Sequence, residues 1–203
     1  MAGSQLVVGV LALQGDFREH IAVVESLGVG ARPVRRPSEL GGLAGLVIPG
    51  GESSVIDKLS RTFGLAEPLK QAIRAGLPVY GTCAGLIMLA DRVLDAISGQ
   101  QSFGGFDISV RRNAFGTQLD SFEADLEISE FGALPMHAVF IRAPVVEQIG
   151  EGVRTLAALP DGRVVAVEQG NLLGTSFHPE MTGDTRFHEY FLKRVAKNHS
   201  QSV

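Results

Sequence analysis

The sequence predicts an α/β protein whose first half is a parallel sheet with helices on both faces. Short apolar runs alternate there with helix-length amphipathic segments, and the connections between them are only a few residues long. In the second half the pattern changes to a succession of strand candidates separated by turns, so the sheet is expected to be mostly parallel with some antiparallel strands. A single domain over 1–203 is the simplest organisation, since no repeat, low-complexity segment or linker interrupts the chain.

Leu6–Leu13 is an unbroken apolar run, as expected for a central strand covered on both sides. Asp16-Phe-Arg-Glu19 has capping-box spacing and opens a helix to about Leu27, with Gly28 positioned to end it. A strand around Ala31–Val34 and a brief helical turn at Ser38-Glu-Leu follow, and then a third strand, Gly45–Ile48. Pro49-Gly-Gly-Glu-Ser-Ser54 stops that strand, with Ser53 or Ser54 placed to cap a helix through Leu59. Another helix spans Glu67–Ala75 and closes at Gly76. Val79 and Tyr80 form a short buried strand that turns at Gly81-Thr-Cys-Ala-Gly85 into an apolar-periodic helix carrying Leu86, Ile87, Leu89, Ala90 and Val93. Beyond it, Phe106–Val110, Phe122–Ile128, Ala138–Ile141, Arg154–Ala158, Val164–Gln169 and Leu172–Phe177 read as strands. A last helix begins at Asp184 or Thr185 with Phe187, Phe191, Leu192 and Val195 on one face, and residues 198–203 read as a frayed tail.

Bulk properties narrow the function. The 203 residues are 45% hydrophobic and 20% charged, ordinary for a globular protein, and are enough for a sizeable core. The net charge of −4 offers no basic footprint for nucleic acid. No apolar run is long enough to span a membrane and no secretory leader is recognisable. One cysteine excludes an intrachain disulfide and suits a reducing, cytoplasmic setting.

That cysteine, Cys83, sits where a strand turns sharply into a helix, with Gly81 and Gly85 two positions away on either side. A nucleophile elbow has this layout, and the helix N-terminus beyond it offers free N–H groups to an oxyanion. A buried, inert thiol in a strand–helix turn fits the same five residues. In an open parallel sheet, ligands bind beyond the carboxyl ends of the strands. Gln14, the Pro49–Ser54 loop and Cys83 all fall at such ends.

A cysteine nucleophile needs a base, and the base an orienting partner. Of the five histidines, His20 and His188 read as ordinary helix-face residues, His199 lies in the tail, and His137 precedes a strand. His178 ends a strand and stands two residues from Glu180 across Pro179, so that the carboxylate can hold its ring. Cys83, His178 and Glu180 thus form a candidate triad. Spacing alone does not separate this from a strand-end histidine packed beside a loop carboxylate. Gly50-Gly51 could turn backbone N–H groups into a site, although a plain Gly-Gly turn is commoner. Arg112 and Arg142 lie beside turns, where each could fork a carboxylate or simply be a surface charge. No cluster has metal-ligand spacing, so no metal or cofactor is expected.

With these residues in view, the chain resembles the class I, triad-type glutamine amidotransferases, and among them the glutaminase subunits of pyridoxal 5′-phosphate synthases. The resemblance rests on Leu11-Ala-Leu-Gln-Gly15, Arg18-Glu-His20, Pro49-Gly-Gly-Glu-Ser53, Gly81-Thr-Cys-Ala-Gly-Leu86, Arg112-Asn-Ala-Phe-Gly116, Asp120-Ser-Phe-Glu-Ala-Asp125, Phe140-Ile-Arg-Ala-Pro144 and Thr175-Ser-Phe-His-Pro-Glu180. It implies a flavodoxin-like three-layer α/β/α sandwich and hydrolysis of L-glutamine to L-glutamate and ammonia through a cysteinyl thioester. Cys83 would attack, His178 would act as base and then acid, Glu180 would orient His178, and the N–H groups of Gly51 and Ala84 would form the oxyanion hole. Gly51, Glu52, Ser53, Arg112, Ile141 and Arg142 match glutamine-binding positions, and Gln14 a position at the mouth where the synthase partner docks. That partner, a (β/α)₈-barrel subunit (PdxS) in a large hetero-oligomer, would receive the ammonia and build pyridoxal 5′-phosphate from a pentose phosphate and a triose phosphate. The chain departs from the family pattern at Ser54-Val55, Phe103, Phe106 and Gly174, positions expected to bear on partner affinity rather than chemistry. An amidotransferase subunit of another pathway, such as histidine or purine synthesis, is the near alternative, and an inactive regulatory protein on the same fold the distant one. The Arg112–Gly116 and Asp120–Asp125 segments argue against the first, and the intact Cys83, His178 and Glu180 against the second.

Overall fold

A computed structural model describes residues 6–114 and 121–201. Phe115, Gly116 and Asp120, part of two segments singled out above, lie outside the described residues, as do the last two of the chain. The first half alternates β1 (Val7–Leu11), α1 (Phe17–Ser26), β2 (Gly30–Val34), β3 (Gly45–Ile48), α2 (Ser53–Thr62), α3 (Ala66–Arg74), β4 (Val79–Thr82) and α4 (Ala84–Leu89). The second half contains β5 (Ala90–Leu94), β6 (Phe106–Arg111), β7 (Ser121–Leu126), β8 (Met136–Ile141), β9 (Val145–Ile149), β10 (Arg154–Ala158), β11 (Val164–Gln169), β12 (Leu172–Thr175) and α5 (Arg186–Gln201).

Ten strands form one sheet in the order β2-β1-β3-β4-β12-β11-β9-β6-β5, with β10 also paired to β11. The strands from β2 to β12 run parallel, with β12 inserted beside β4 in register Gly174 to Gly81 and Thr175 to Thr82. From β11 outward the pairing is antiparallel until β5, which lies parallel to β6. Alternation along each strand divides the apolar side chains between two cores. Leu46 and Ile48 pack with Ile56, Leu69 and Leu86 under α2, α3 and α4, whereas Val47 and Tyr80 pack with Val24, Phe187 and Phe191 under α1 and α5. The α/β/α sandwich follows from this division. The β7–β8 hairpin lies over the second core through Leu126, Met136 and Phe140.

Several local expectations are corrected. Asp16 stands at the N-cap of α1 without a side-chain cap bond, so the capping box does not form. Helix α2 is capped by Glu52, whose carboxylate accepts from the Ser54 N–H, rather than by Ser53 or Ser54. The elbow helix ends at Leu89, because Ala90 takes an extended conformation (ψ 139°) and Val93 continues as strand β5 against β6. Helix α5 runs through Gln201, past the point where a loose tail was expected. Phe103, Phe106 and Gly174 belong to the core: both rings are buried, and a Cβ on Gly174 would meet Leu86 Cδ1 at 2.5 Å. Their departure from the family pattern therefore concerns packing and not a partner surface.

Candidate active site

Four neighbouring parallel strands deliver the site from their carboxyl ends. Gln14 follows β1, the Gly50–Glu52 loop follows β3, Cys83 follows β4, and His178 and Glu180 follow β12. A crossover past β2 sets β3 beside β1, β4 follows beside β3, and the fourth segment arrives because β12 returns to pair with β4. Gln14, Gly51, Glu52, Ser53, Cys83, Arg112, Ile141, Arg142 and His178 line one cavity of about 380 Å³. Ala84, the first residue of α4, is buried beside Cys83, and its turn carries N–H groups with no acceptor inside the helix.

Cys83 has φ 48° and ψ −104°, a conformation that costs a non-glycine residue about 1–3 kcal/mol and must be imposed by its surroundings. Those surroundings are tight. The Cys83 N–H donates to Thr175 O at 2.8 Å, tying the elbow to β12. A Cβ on Gly81 would lie 2.6 Å from the Gly85 carbonyl, and one on Gly85 would strike Ile48 O of β3, so both positions must lack a side chain. The thiol points toward Ile141 O at 3.8 Å and also interacts with His178, which lines the same cavity.

His178 is 4% exposed, and its Nδ1 lies 2.8 Å from Glu180 Oε1. Burial alone would lower the pKa of the ring, but its hydrogen bonds and charge interactions with Cys83 and Glu180 outweigh this and push it up to about 10. Asp16, freed from capping, brings Oδ2 to 3.6 Å from the same nitrogen. Asp16, His178 and Glu180 thereby place three ligand-type atoms within 4.8 Å of one another, a cluster whose members come from two distant segments and show no spacing in sequence. As counter-charges to one imidazolium, the two carboxylates need no ion to explain them.

Arg112 lies at the cavity wall with its fork occupied. Nη2 donates to Glu52 Oε1 at 2.7 Å and Nη1 to Gln100 Oε1 at 2.8 Å, while Gln100 Nε2 donates to Ser53 Oγ at 3.0 Å. Arg142 reaches the cavity from a left-handed turn at φ 45°. Arg111, by contrast, faces solvent and pairs with Asp95 and Glu147. Gln14 Oε1 accepts from the Glu52 N–H at 2.7 Å and packs on Gly51, where a Cβ would collide with it.

His20 and His188, expected as plain helix-face residues, are both fully buried. His20 Nδ1 lies 2.9 Å from His188 Nε2, and His20 Nε2 lies 3.1 Å from Thr82 Oγ1, one residue before Cys83. The available signal was position: His20 is four residues from Val24 on the buried stripe of α1, and His188 sits beside Phe187 and one turn from Phe191 on that of α5.

A model described as the SNO glutamine amidotransferase family matches residues 10–197. The chain is 68% identical to the pyridoxal 5′-phosphate synthase subunit PdxT of Leifsonia xyli subsp. xyli, over 96% of this chain and 98% of that one. It is 65% identical to the protein of the same description from Clavibacter sepedonicus, over 95% and 92% respectively. Among solved structures, one titled glutamine amidotransferase superposes with a TM-score of 0.86 at 48% identity, covering 93% of this chain and 98% of that one. A putative GMP synthase subunit from Thermoplasma acidophilum, 19% identical, shares the fold with a TM-score of 0.70 over 98% of each chain.

Proposed function

The chain belongs to the SNO glutamine amidotransferase family, and from that premise we infer that it is the glutaminase subunit of a pyridoxal 5′-phosphate synthase. One observation carries the chemistry: the sole cysteine stands on a strained strand-to-helix elbow beside a buried histidine whose other nitrogen is held by a carboxylate at 2.8 Å. In this reading the thiol proton already resides on the His178 imidazolium, and Cys83 Sγ attacks the side-chain carboxamide carbon of glutamine. The tetrahedral oxyanion faces the N–H groups of Gly51 and Ala84. Collapse breaks the C–N bond, His178 returns its proton to the leaving nitrogen, and ammonia departs from a γ-glutamyl thioester. Water, deprotonated by His178, then cleaves the thioester to glutamate and returns the Cys83–His178 pair to its starting state. Glu180 accepts from His178 Nδ1–H throughout, which leaves Nε2 for the sulfur.

The glutamine backbone carries both charges, and the Arg112–Glu52 ion pair at the cavity wall offers both complements by exchanging partners on binding, Arg112 turning to the α-carboxylate and Glu52 to the α-ammonium, with Ser53, Ile141 and Arg142 closing the walls. A pocket of about 380 Å³ suits one amino acid of this size. PdxT relatives are named as synthase subunits. The ammonia is accordingly passed to a partner synthase subunit, a (β/α)₈ barrel in a large hetero-oligomer, with Gln14 at the mouth where the two meet. Among the described residues no helix is long and apolar enough to cross a membrane. The test is glutamate release with and without the barrel subunit: weak hydrolysis alone and a sharp rise on mixing are expected, and no stimulation would sink the pairing.

A further inference from the structure

The triad ends at Glu180, yet the polar chain continues behind it. Glu180 Oε1 is bound to His178, whereas Oε2 is buried without a hydrogen-bond partner of ordinary length. His20 Nε2 is the nitrogen facing that oxygen, at 3.5 Å, and both side chains are wholly buried. A lone pair at Nε2 would confront the carboxylate in a site that water does not reach, whereas an N–H there is attracted to it. Proton bookkeeping along the chain selects the same tautomer. With the proton on Nε2, His20 Nδ1 accepts from His188 Nε2–H, leaving His188 Nδ1 as a bare lone pair. The opposite arrangement would put an N–H at His188 Nδ1, which is buried and unpartnered. An orphaned buried donor is the costlier of the two.

We propose that His20 is a positioning residue of the triad: held by His188 in its Nε2–H tautomer, it presents a proton to Glu180 Oε2 and Thr82 Oγ1, keeping the carboxylate aimed at His178. The inference rests on the glutaminase reading above. The ionisable groups around this carboxylate are His178 on its own turn, Asp16 at the N-cap of α1 and His20 within it, Tyr80 and Cys83 from β4 and the elbow, and His188 from α5. Burial holds both His20 and His188 below the ordinary histidine range, with repulsion from His188 and His178 acting further on His20, so the pair is neutral at pH 7. Burial pushes the Tyr80 phenol up, and its hydroxyl is paired with Thr175 Oγ1 at 3.2 Å. His20 is the group left to serve Oε2. The Arg18-Glu-His20 segment, which has no place in the glutamine-binding set, acquires a role in this way.

The experiment compares wild type, His20→Leu and His20→Gln in the complex with the synthase subunit, following glutamate release against pH. A Gln amide N–H reaches roughly where Nε2–H stood. For His20→Leu, kcat is expected to fall about ten- to a hundredfold with KM little changed. Its acid limb is expected to move up by about one pH unit, because a carboxylate without its donor protonates earlier as pH falls. His20→Gln restores most of both. If His20→Leu does not fold, His188→Phe keeps a ring beside Tyr80 and frees the His20 tautomer, and a smaller upward move of the same limb is expected. An unmoved acid limb in these variants, or a kcat loss in His20→Leu that His20→Gln fails to relieve, would overturn the role. Wild type releasing no glutamate would instead overturn the glutaminase reading beneath it.

Discussion

Gly81→Ala is the sharpest test of how the elbow is built. The new Cβ would lie 2.6 Å from both C and O of Gly85 and 2.9 Å from the Leu86 N, all backbone atoms that no rotamer change can move. Ordinary contact begins at 3.4 Å, so the start of α4 must retreat by 3.4 − 2.6, about 0.8 Å. It cannot do so freely, because Gly85 is itself packed on Ile48 O of β3. Overpacking of this kind costs about 1–3 kcal/mol, which for a chain of this length lowers Tm by roughly 2–10 °C. Cys83 lies between the two glycines and moves with the helix. A displacement approaching 1 Å costs up to about a hundredfold in rate, so glutamate release by the complex should fall roughly thirty- to a hundredfold. The assays are a thermal melt and steady-state kinetics on the same preparation. Wild-type kinetics with an unchanged Tm would refute the claim that the two glycines hold the nucleophile in place.

Two further outcomes follow from the geometry. Arg112→Ala removes the cation bonded to Glu52 and Gln100, and should raise KM for glutamine about ten- to a hundredfold with kcat within a few fold; an unaltered KM would exclude Arg112 from substrate binding. Stability should fall on mild acidification. His188 titrates at about 4 in the folded chain against 6.5 for an unperturbed imidazole, the value that applies to the unfolded chain. The folded form therefore binds fewer protons below pH 6.5, and stability is lost progressively from there toward pH 4. This amounts to about 2 kcal/mol between pH 7 and pH 5, and His20 acts in the same direction. The raised pKa of His178 acts the other way: its contribution is complete below pH 6.5 and is lost progressively from there toward pH 10, so between pH 7 and pH 5 it offsets less than half of the His188 effect. Urea midpoints at the two pH values measure it, and His188→Phe should flatten the difference; an identical slope in that variant would contradict the assignment.

The parts legible in the sequence are those where local pattern and chemistry coincide. Apolar runs ending in glycine-rich turns marked β1, β3 and β4, and the small residues around Cys83 marked the elbow, because a crowded turn leaves few residue types possible. His178 and Glu180 stood out through their proximity in the chain, and the structure brings them to Cys83 through the β12–β4 pairing. What was not legible depended on tertiary partners. Asp16 had the spacing of a capping box but is drawn toward His178. Val145–Ile149 showed no distinct strand signal, and Ala90–Leu94 read as more helix, because each is a strand through its neighbours in the sheet rather than through its own pattern. His20 and His188 looked like surface residues because a histidine on a helix declares nothing until the opposite helix supplies its partner.

The central claim is that Cys83 is the atom that attacks glutamine. A glutamine-shaped chloroketone tests it directly, since a sulfur nucleophile seated at the carboxamide position displaces chloride and forms a stable thioether. Cys83 is the chain's only cysteine, so peptide mass spectrometry of the labelled complex reads the site without ambiguity. One label per chain is expected, on Cys83, with loss of glutamate release in step and protection by glutamine. Labelling elsewhere, or full activity with Cys83 labelled, would contradict it.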